Sequence, residues 1–209
     1  EAKGEDFKKQ LLSVLTAVYN TQLYKRTTPD TFKPAGVAKH IRPVRTDRKL
    51  VALACSTGGP KALQSVIPYL PKNLDAPVVL VQHMPAGFTK SMADRLNELS
   101  EVSVKEAEEG DVLEKGHVYV APGGMHMEVV KAHGNTHRIK LDDLPPIGGL
   151  RPCANIMFDS LAKTDYDEII CIVLTGMGAD GTNGILSLNR TKPIHVIAQD
   201  AQTCVVYGM

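Results

Sequence analysis

The stretch Leu50-Val-Ala-Leu-Ala-Cys-Ser-Thr-Gly-Gly-Pro-Lys-Ala-Leu-Gln-Ser65 decides the fold. Residues 51–55 form an unbroken apolar run of the length expected for a strand buried on both faces. Ser56 and Thr57 follow at once, then Gly58-Gly59 and Pro60, which as a first helical residue tolerates its missing N–H. Leu63, Val66 and Ile67 then recur at helical spacing over 61–67, and Pro68 bounds the segment. A strand that turns directly into a helix leaves its last side chains beside unpaired backbone N–H groups. The positive end of the helix dipole lies there too, so negative charge is stabilised. Ser56 is therefore either the cap of that helix or a nucleophile beside an anion site. Capping preference alone favours the cap.

Outward from this stretch, 209 residues suffice to bury one sizeable core with some length left over. The 43% hydrophobic and 22% charged content is ordinary for a globular protein. The net charge of +1 is unevenly spread, with 1–50 basic and the remainder mildly acidic. That division suggests two functional segments rather than a nucleic-acid binder. No apolar run approaches the ~18 residues of a membrane span, so no membrane insertion is expected, and no signal peptide opens the chain. Cys55, Cys153, Cys171 and Cys204 lack metal-binding spacing and read as free thiols in a reducing compartment, which implies the cytoplasm. The chain opens at Glu1 and stops just after an apolar run, as a fragment of something longer would.

In chain order, Phe7, Leu11, Leu15, Tyr19 and Leu23 recur every four residues, widened by Val14 and Val18. This predicts an amphipathic helix over 5–24 of an N-terminal segment 1–24. Residues 25–48 are proline-punctuated without periodicity and read as a linker to a domain over 49–209. Within that domain 76–82 is a second buried strand, ended by His83-Met84-Pro85, and Thr89 opens a helix to 99. Residues 102–106, 117–121 and 128–141 alternate like antiparallel strands, the last folding about Gly134-Asn135 as a hairpin. A helix over 154–163, a strand over 169–174, a helix over 183–188 and strands over 194–198 and 203–207 complete the order. Strands alternating with helices predict an α/β fold: a mostly parallel, doubly wound, three-layer Rossmann-like sheet with a small antiparallel extension.

In such sheets function gathers past the carboxyl ends of the strands. Three loops at that edge offer one reactive residue each: Ser56, His83 and Asp180. These are the parts of a nucleophile–base–orienter relay, although His83 and Asp180 read singly as helix caps. The order Ser…His…Asp differs from that of the α/β-hydrolases, and Cys55-Ser56-Thr57-Gly58 is not G-x-S-x-G. A rival reading concerns Gly176-Met-Gly178-Ala-Asp-Gly181, which satisfies the dinucleotide fingerprint, with Asp200 nineteen residues after Gly181 as a ribose-binding acid. Asp180 inside that turn opposes a pyrophosphate. A second rival is a non-enzymatic regulatory piece in which the 5–24 helix docks a partner. His133 and His137 flank the hairpin turn and share no helix face, and His126 reads as a surface-loop residue. With no Cys/His cluster, no metal is expected, nor any other cofactor.

The motifs Ser56-Thr-Gly-Gly-Pro, Gln82-His-Met-Pro, Tyr119-Val-Ala-Pro-Gly and Leu174-Thr-Gly-Met-Gly-Ala-Asp-Gly181 resemble the chemotaxis protein-glutamate methylesterase family, CheB. The ending Ala198-Gln-Asp…Val-Val-Tyr-Gly-Met209 resembles it too, so the likeness spans about 49–209. It implies a Ser–His–Asp triad matching Ser56, His83 and Asp180, with Thr57 at the nucleophile and the Met177 N–H in the oxyanion hole. It implies demethylation of glutamyl methyl esters in methyl-accepting chemotaxis receptors, releasing methanol, and in many members deamidation of glutamines. It also implies a phospho-receiver domain ahead of the catalytic domain, joined through the 5–24 helix, and a C-terminal helix beyond Met209. Ala201 departs from the family pattern, which carries an acid there, but it lies outside the triad.

Overall fold

In the computed structural model, which describes residues 48–209, the run at 51–55 becomes the middle of a parallel sheet. The helix expected over 5–24 and the linker through residue 47 lie outside the described residues. Strand β1 (Lys49–Cys55) pairs in parallel with β2 (Val78–Gln82) on one side and β7 (Glu168–Val173) on the other. Beyond β2 lie β4 (His117–Val120) and then β3 (Ser103–Glu106), and beyond β7 lies β8 (Ile194–Ala198). All five pairings are parallel. Strands β5 (His126–Lys131) and β6 (His137–Asp142) form a separate antiparallel hairpin about Gly134-Asn135.

Because side chains alternate along a strand, β1 feeds two cores at once. Leu50, Ala52 and Ala54 face one with Met127, Ile139, Met157, Phe158 and Leu188. Leu53 and Cys55 face the other with Leu63, Ile67, Leu80, Ala93 and Leu96. Helices α1 (Gly59–Gln64) and α2 (Phe88–Leu99) supply the second core. The first takes α3 (Ala154–Ser160), α4 (Thr182–Thr191) and the hairpin. This is the expected three-layer, doubly wound arrangement.

Four expectations need correction. Residues 102–106 and 117–121 are not antiparallel: they join the main sheet as β3 and β4, with Val104 opposite Val118. Their alternation reports the edge position of β3, and period two carries no strand direction. The crossover between them holds no helix; it runs along β6, with Gly110 N–H donating to Ile139 O and Ile139 N–H to Asp111 O. Residues 203–207 form no strand, only a single bridge between Tyr207 and Gly176. There the N–H groups of Val205 and Val206 donate to Thr175 Oγ1 instead of a neighbouring strand. The first helix starts at Gly59 and ends at Gln64, and Ile67–Tyr69, with Pro68 inside it, is a separate 3-10 turn. His126 is no surface residue: as the first residue of β5 it is wholly buried, with Nε2 at 3.3 Å from Pro145 O.

Candidate active site

The chain leaves β1 for β2 on one side and reaches β7 on the other, so the carboxyl ends of these strands surround the point where strand order reverses. Ser56 follows β1, His83 follows β2, and the loop carrying Asp180 follows β7.

Ser56 does not cap α1. The cap position is Gly58, at φ 84°, and no side chain bonds to the exposed N–H groups there. The serine backbone is instead clamped. Its N–H donates to Thr175 O at 3.0 Å, and its carbonyl accepts from Gly59 N–H at 2.8 Å and Gln82 Nε2 at 2.9 Å. Gly176 closes in from the β7 side, where a Cβ would lie 2.8 Å from Ser56 Cβ. Thr175 Oγ1 donates to Thr57 O at 2.9 Å, tying the two loops together. Among the described residues, neither the Thr57 N–H nor the Met177 N–H has a hydrogen-bond partner, and the Met177 side chain is 71% exposed.

The register ends with Cys55 opposite Gln82, and His83 N–H donates to Cys55 O at 3.1 Å, so Ser56 and His83 are the next residues on adjacent strands. The imidazole is nearly buried and its Nε2 sits 2.8 Å from Asp180 Oδ2. An ionised carboxylate can only accept, so Nε2 carries the proton and Nδ1 keeps a lone pair. His83 Nδ1 is buried and has no partner among the described residues. Ser56 Oγ makes no hydrogen bond to it.

Asp180 does not cap its own helix. Its carboxylate caps α3 from outside, Oδ2 accepting from Ala154 N–H at 2.6 Å and Oδ1 from Asn155 N–H at 3.0 Å. Cys153 Sγ donates to Oδ1 at 3.1 Å, and burial pushes this thiol up to about 11, so it keeps its proton. Burial also disfavours the Asp180 anion. The hydrogen bonds from His83, Ala154, Asn155 and Cys153 outweigh that cost and hold the carboxyl at about 2. In return, Asn155 Oδ1 caps α4, accepting from Gly181 N–H at 3.1 Å and Gly184 N–H at 2.7 Å. The two helices thus cap each other, and the loop bearing Asp180 is fixed at both ends. Two of the donors that hold Asp180, the N–H groups of Ala154 and Asn155, are backbone groups that no residue type marks, and sequence spacing does not bring Cys153 Sγ or Asn155 Oδ1 to this loop.

Asp200, the ribose-binding candidate, lies in an exposed turn where its Oδ1 accepts from Gln202 N–H at 2.8 Å. His137 is buried against Tyr166, ring centroids 4.5 Å apart, and burial pushes its pKa down. All four cysteines are free thiols.

Fold and site together define a parallel α/β protein with serine, histidine and a deeply anchored aspartate at one sheet edge. Residues 51–209 match the model of the CheB methylesterase family, and the chain belongs to that family. A protein of Oceanobacillus iheyensis named protein-glutamate methylesterase/protein-glutamine glutaminase is 46% identical over 206 residues, 97% of this chain and 57% of its own length. The like-named protein of Symbiobacterium thermophilum is 50% identical over 165 residues, covering 79% of this chain and 44% of its own. This chain thus spans about half the length of such relatives. The crystal structure of the Thermotoga maritima CheB methylesterase catalytic domain superposes with a TM-score of 0.73 at 46% identity, covering 78% of this chain and 85% of that one.

Proposed function

We propose that residues 49–209 are a serine hydrolase that demethylates glutamyl methyl esters of chemotaxis receptors, with Ser56 as nucleophile, His83 as general base and Asp180 as orienter. One observation carries the reading: His83 Nε2 is engaged by Asp180 at 2.8 Å while its buried Nδ1 is left without a partner among the described residues. Nδ1 takes the proton as Ser56 Oγ attacks the side-chain ester carbonyl, and the imidazolium that forms is balanced by the Asp180 carboxylate. The carbonyl oxygen becomes an oxyanion, received by the unpaired N–H groups of Thr57 and Met177; such donors contribute roughly 3 kcal/mol each. The tetrahedral intermediate collapses, His83 returns the proton to the methoxy oxygen, and methanol leaves. Water, deprotonated by the same Nδ1, then attacks the acyl-enzyme and releases glutamate and free serine. With a glutamine side chain the leaving group is ammonia and the remaining steps are unchanged, which gives the deamidase activity carried in the relatives' names.

The shorter length of this chain relative to such proteins supports a phospho-receiver domain ahead of it, joined through the 1–24 segment and the 25–48 linker. Among the described residues no helix is long and apolar enough to cross a membrane. We place the activity in the cytoplasm, where the thiols stay reduced. Mass spectrometry of a methylated receptor peptide incubated with the protein tests the reading. Loss of the methyl group is expected with wild type, and Ser56→Ala should lower the rate by at least ~10⁴ while melting at the wild-type temperature. Persistence of more than about a tenth of the rate in Ser56→Ala would overturn the assignment.

A further inference from the structure

Gln82 ends β2 with its side chain almost wholly enclosed, at 2% exposure. A buried primary amide has two N–H donors to satisfy, set in one plane about a single nitrogen. Here both go to main-chain carbonyls of the pair given the chemistry above. Nε2 donates to Ser56 O at 2.9 Å and to His83 O at 3.0 Å. The other end of the amide is fixed as well, since Oε1 accepts from Cys55 Sγ at 3.1 Å. Burial pushes the Cys55 thiol far up, so it keeps its proton and only this orientation of the amide satisfies all three bonds.

The position of this bridge matters more than its number of bonds. The register between β1 and β2 ends at Cys55 and Gln82, and the last backbone bond there runs from His83 N–H to Cys55 O. Past that point no ladder bond joins Ser56 to His83, and the Gln82 amide stands in the gap. The start of α1 is shaped to admit it. A Cβ at Gly59 would fall 1.9 Å from Gln82 Oε1 and 2.9 Å from its Cδ. Gly59 has no left-handed backbone to explain it, unlike Gly58 at φ 84°. The second glycine after the serine is therefore accounted for by the side chain of Gln82.

We propose that Gln82 is a positioning residue that sets the spacing of Ser56 and His83 by bridging their main-chain carbonyls, and that Gly59 is glycine to let it do so. The proposal rests on the hydrolase reading of this edge. Gln82→Met keeps length and bulk and removes the bridge; Gly59→Ala keeps Gln82 and displaces its amide.

Both variants should fold, keep KM within about threefold and lose kcat by at least tenfold on a glutamyl methyl ester peptide. The rate of fluorophosphonate labelling at Ser56 should fall in parallel. Because the two changes act on one contact, Gly59→Ala combined with Gln82→Ala should be no slower than Gln82→Ala alone. If Gln82→Met does not fold, Gly59→Ala and the labelling rate carry the test. Folded variants with kcat within threefold of wild type, or losses that multiply in the double variant, would overturn the role of Gln82 and leave the hydrolase reading standing. A wild type that neither releases methanol nor labels at Ser56 would overturn both.

Discussion

Replacing Asp180 by Asn removes one charge and leaves the shape of the side chain nearly unchanged. Four donors converge on the carboxylate: His83 Nε2, Ala154 N–H, Asn155 N–H and Cys153 Sγ. An amide has one accepting oxygen and one nitrogen that only donates, so two of the four lose their acceptor whichever way it turns. With nitrogen towards Ala154 and His83, the imidazole must present a lone pair at Nε2 and carry its proton on Nδ1, the wrong atom for a base. With nitrogen towards Asn155 and Cys153, the tautomer survives and the balancing charge is gone. The stability cost follows from the carboxyl being held at about 2 against an ordinary 3.8. At 1.36 kcal/mol per unit this is about 2 kcal/mol, present at neutral pH. For a domain of this size that corresponds to a fall in Tm of roughly 5 °C. On the proposed roles, turnover should fall by roughly three to four powers of ten, as for loss of the orienting carboxylate in serine hydrolases. Methanol release by a coupled oxidase assay and urea unfolding measure the two separately. Turnover within tenfold of wild type would refute the orienting role, and an unfolding free energy within 0.5 kcal/mol would refute the weight given to the four bonds.

The same carboxylate sets an acid limit. Because its folded pKa is depressed, its contribution is complete above about pH 4 and vanishes as pH falls towards 2, so the stability gap between wild type and Asp180→Asn should close over that range. Urea titrations at pH 2, 3, 4 and 7 check this, and a constant gap would contradict it. Asn155→Ala orphans the Gly181 and Gly184 N–H groups and should cost about 1 kcal/mol, much of it restored by Asn155→Asp, as thermal melts would read. Gly176→Ala would place a Cβ 2.8 Å from Ser56 Cβ and 2.7 Å from Met209 Sδ, so fluorophosphonate labelling should slow more than stability falls; an unchanged labelling rate would mean that this approach is not tight. Calorimetric titration of NAD should give no heat, and binding tighter than about 100 μM would revive the nucleotide reading of 176–181.

The apolar runs at 51–55, 76–82 and 169–174 announced central strands because burial on both faces leaves no room for polar alternation. Strand direction at the sheet edge was not written in the same code. Ser103 is exposed and Val104 buried in β3, a pattern equally true of either direction. What accommodates parallel pairing is the crossover 107–116, held to β6 far along the chain through Gly110 N–H, Asp111 O and Leu113 N–H. Residues 203–207 read as a strand from Cys204, Val205, Val206 and Tyr207. A threonine hydroxyl thirty residues away takes the N–H groups that a ladder would have used. His126 looked like a loop residue because Ala-Pro-Gly-Gly-Met precedes it, yet the chain turns inward at that point and buries it.

Residue type made Ser56, His83 and Asp180 visible, since each follows a buried strand where side chains face the sheet edge. What holds them was hidden for two reasons. Ala154 and Asn155 act on Asp180 through the peptide N–H, which leaves no mark in a sequence. Gly176, Gly178 and Gly181 do leave a mark, but an ambiguous one, because G-x-G-x-x-G is what any loop produces when backbone must pass close to something three times. In a dinucleotide site the crowding object is a pyrophosphate. Here Gly176 yields to Ser56 and Met209, while Gly178 and Gly181 adopt φ of 103° and 102°. A Cβ at Gly181 would also lie 3.2 Å from the Phe158 ring. The acid between the last two glycines, Asp180, separates the alternatives. A phosphate cradle turns its N–H groups towards an anion and excludes carboxylates, whereas this loop carries its own anion and turns it into α3 and His83. The same spacing of glycines therefore serves opposite electrostatics, and the charge at position 180 distinguishes them.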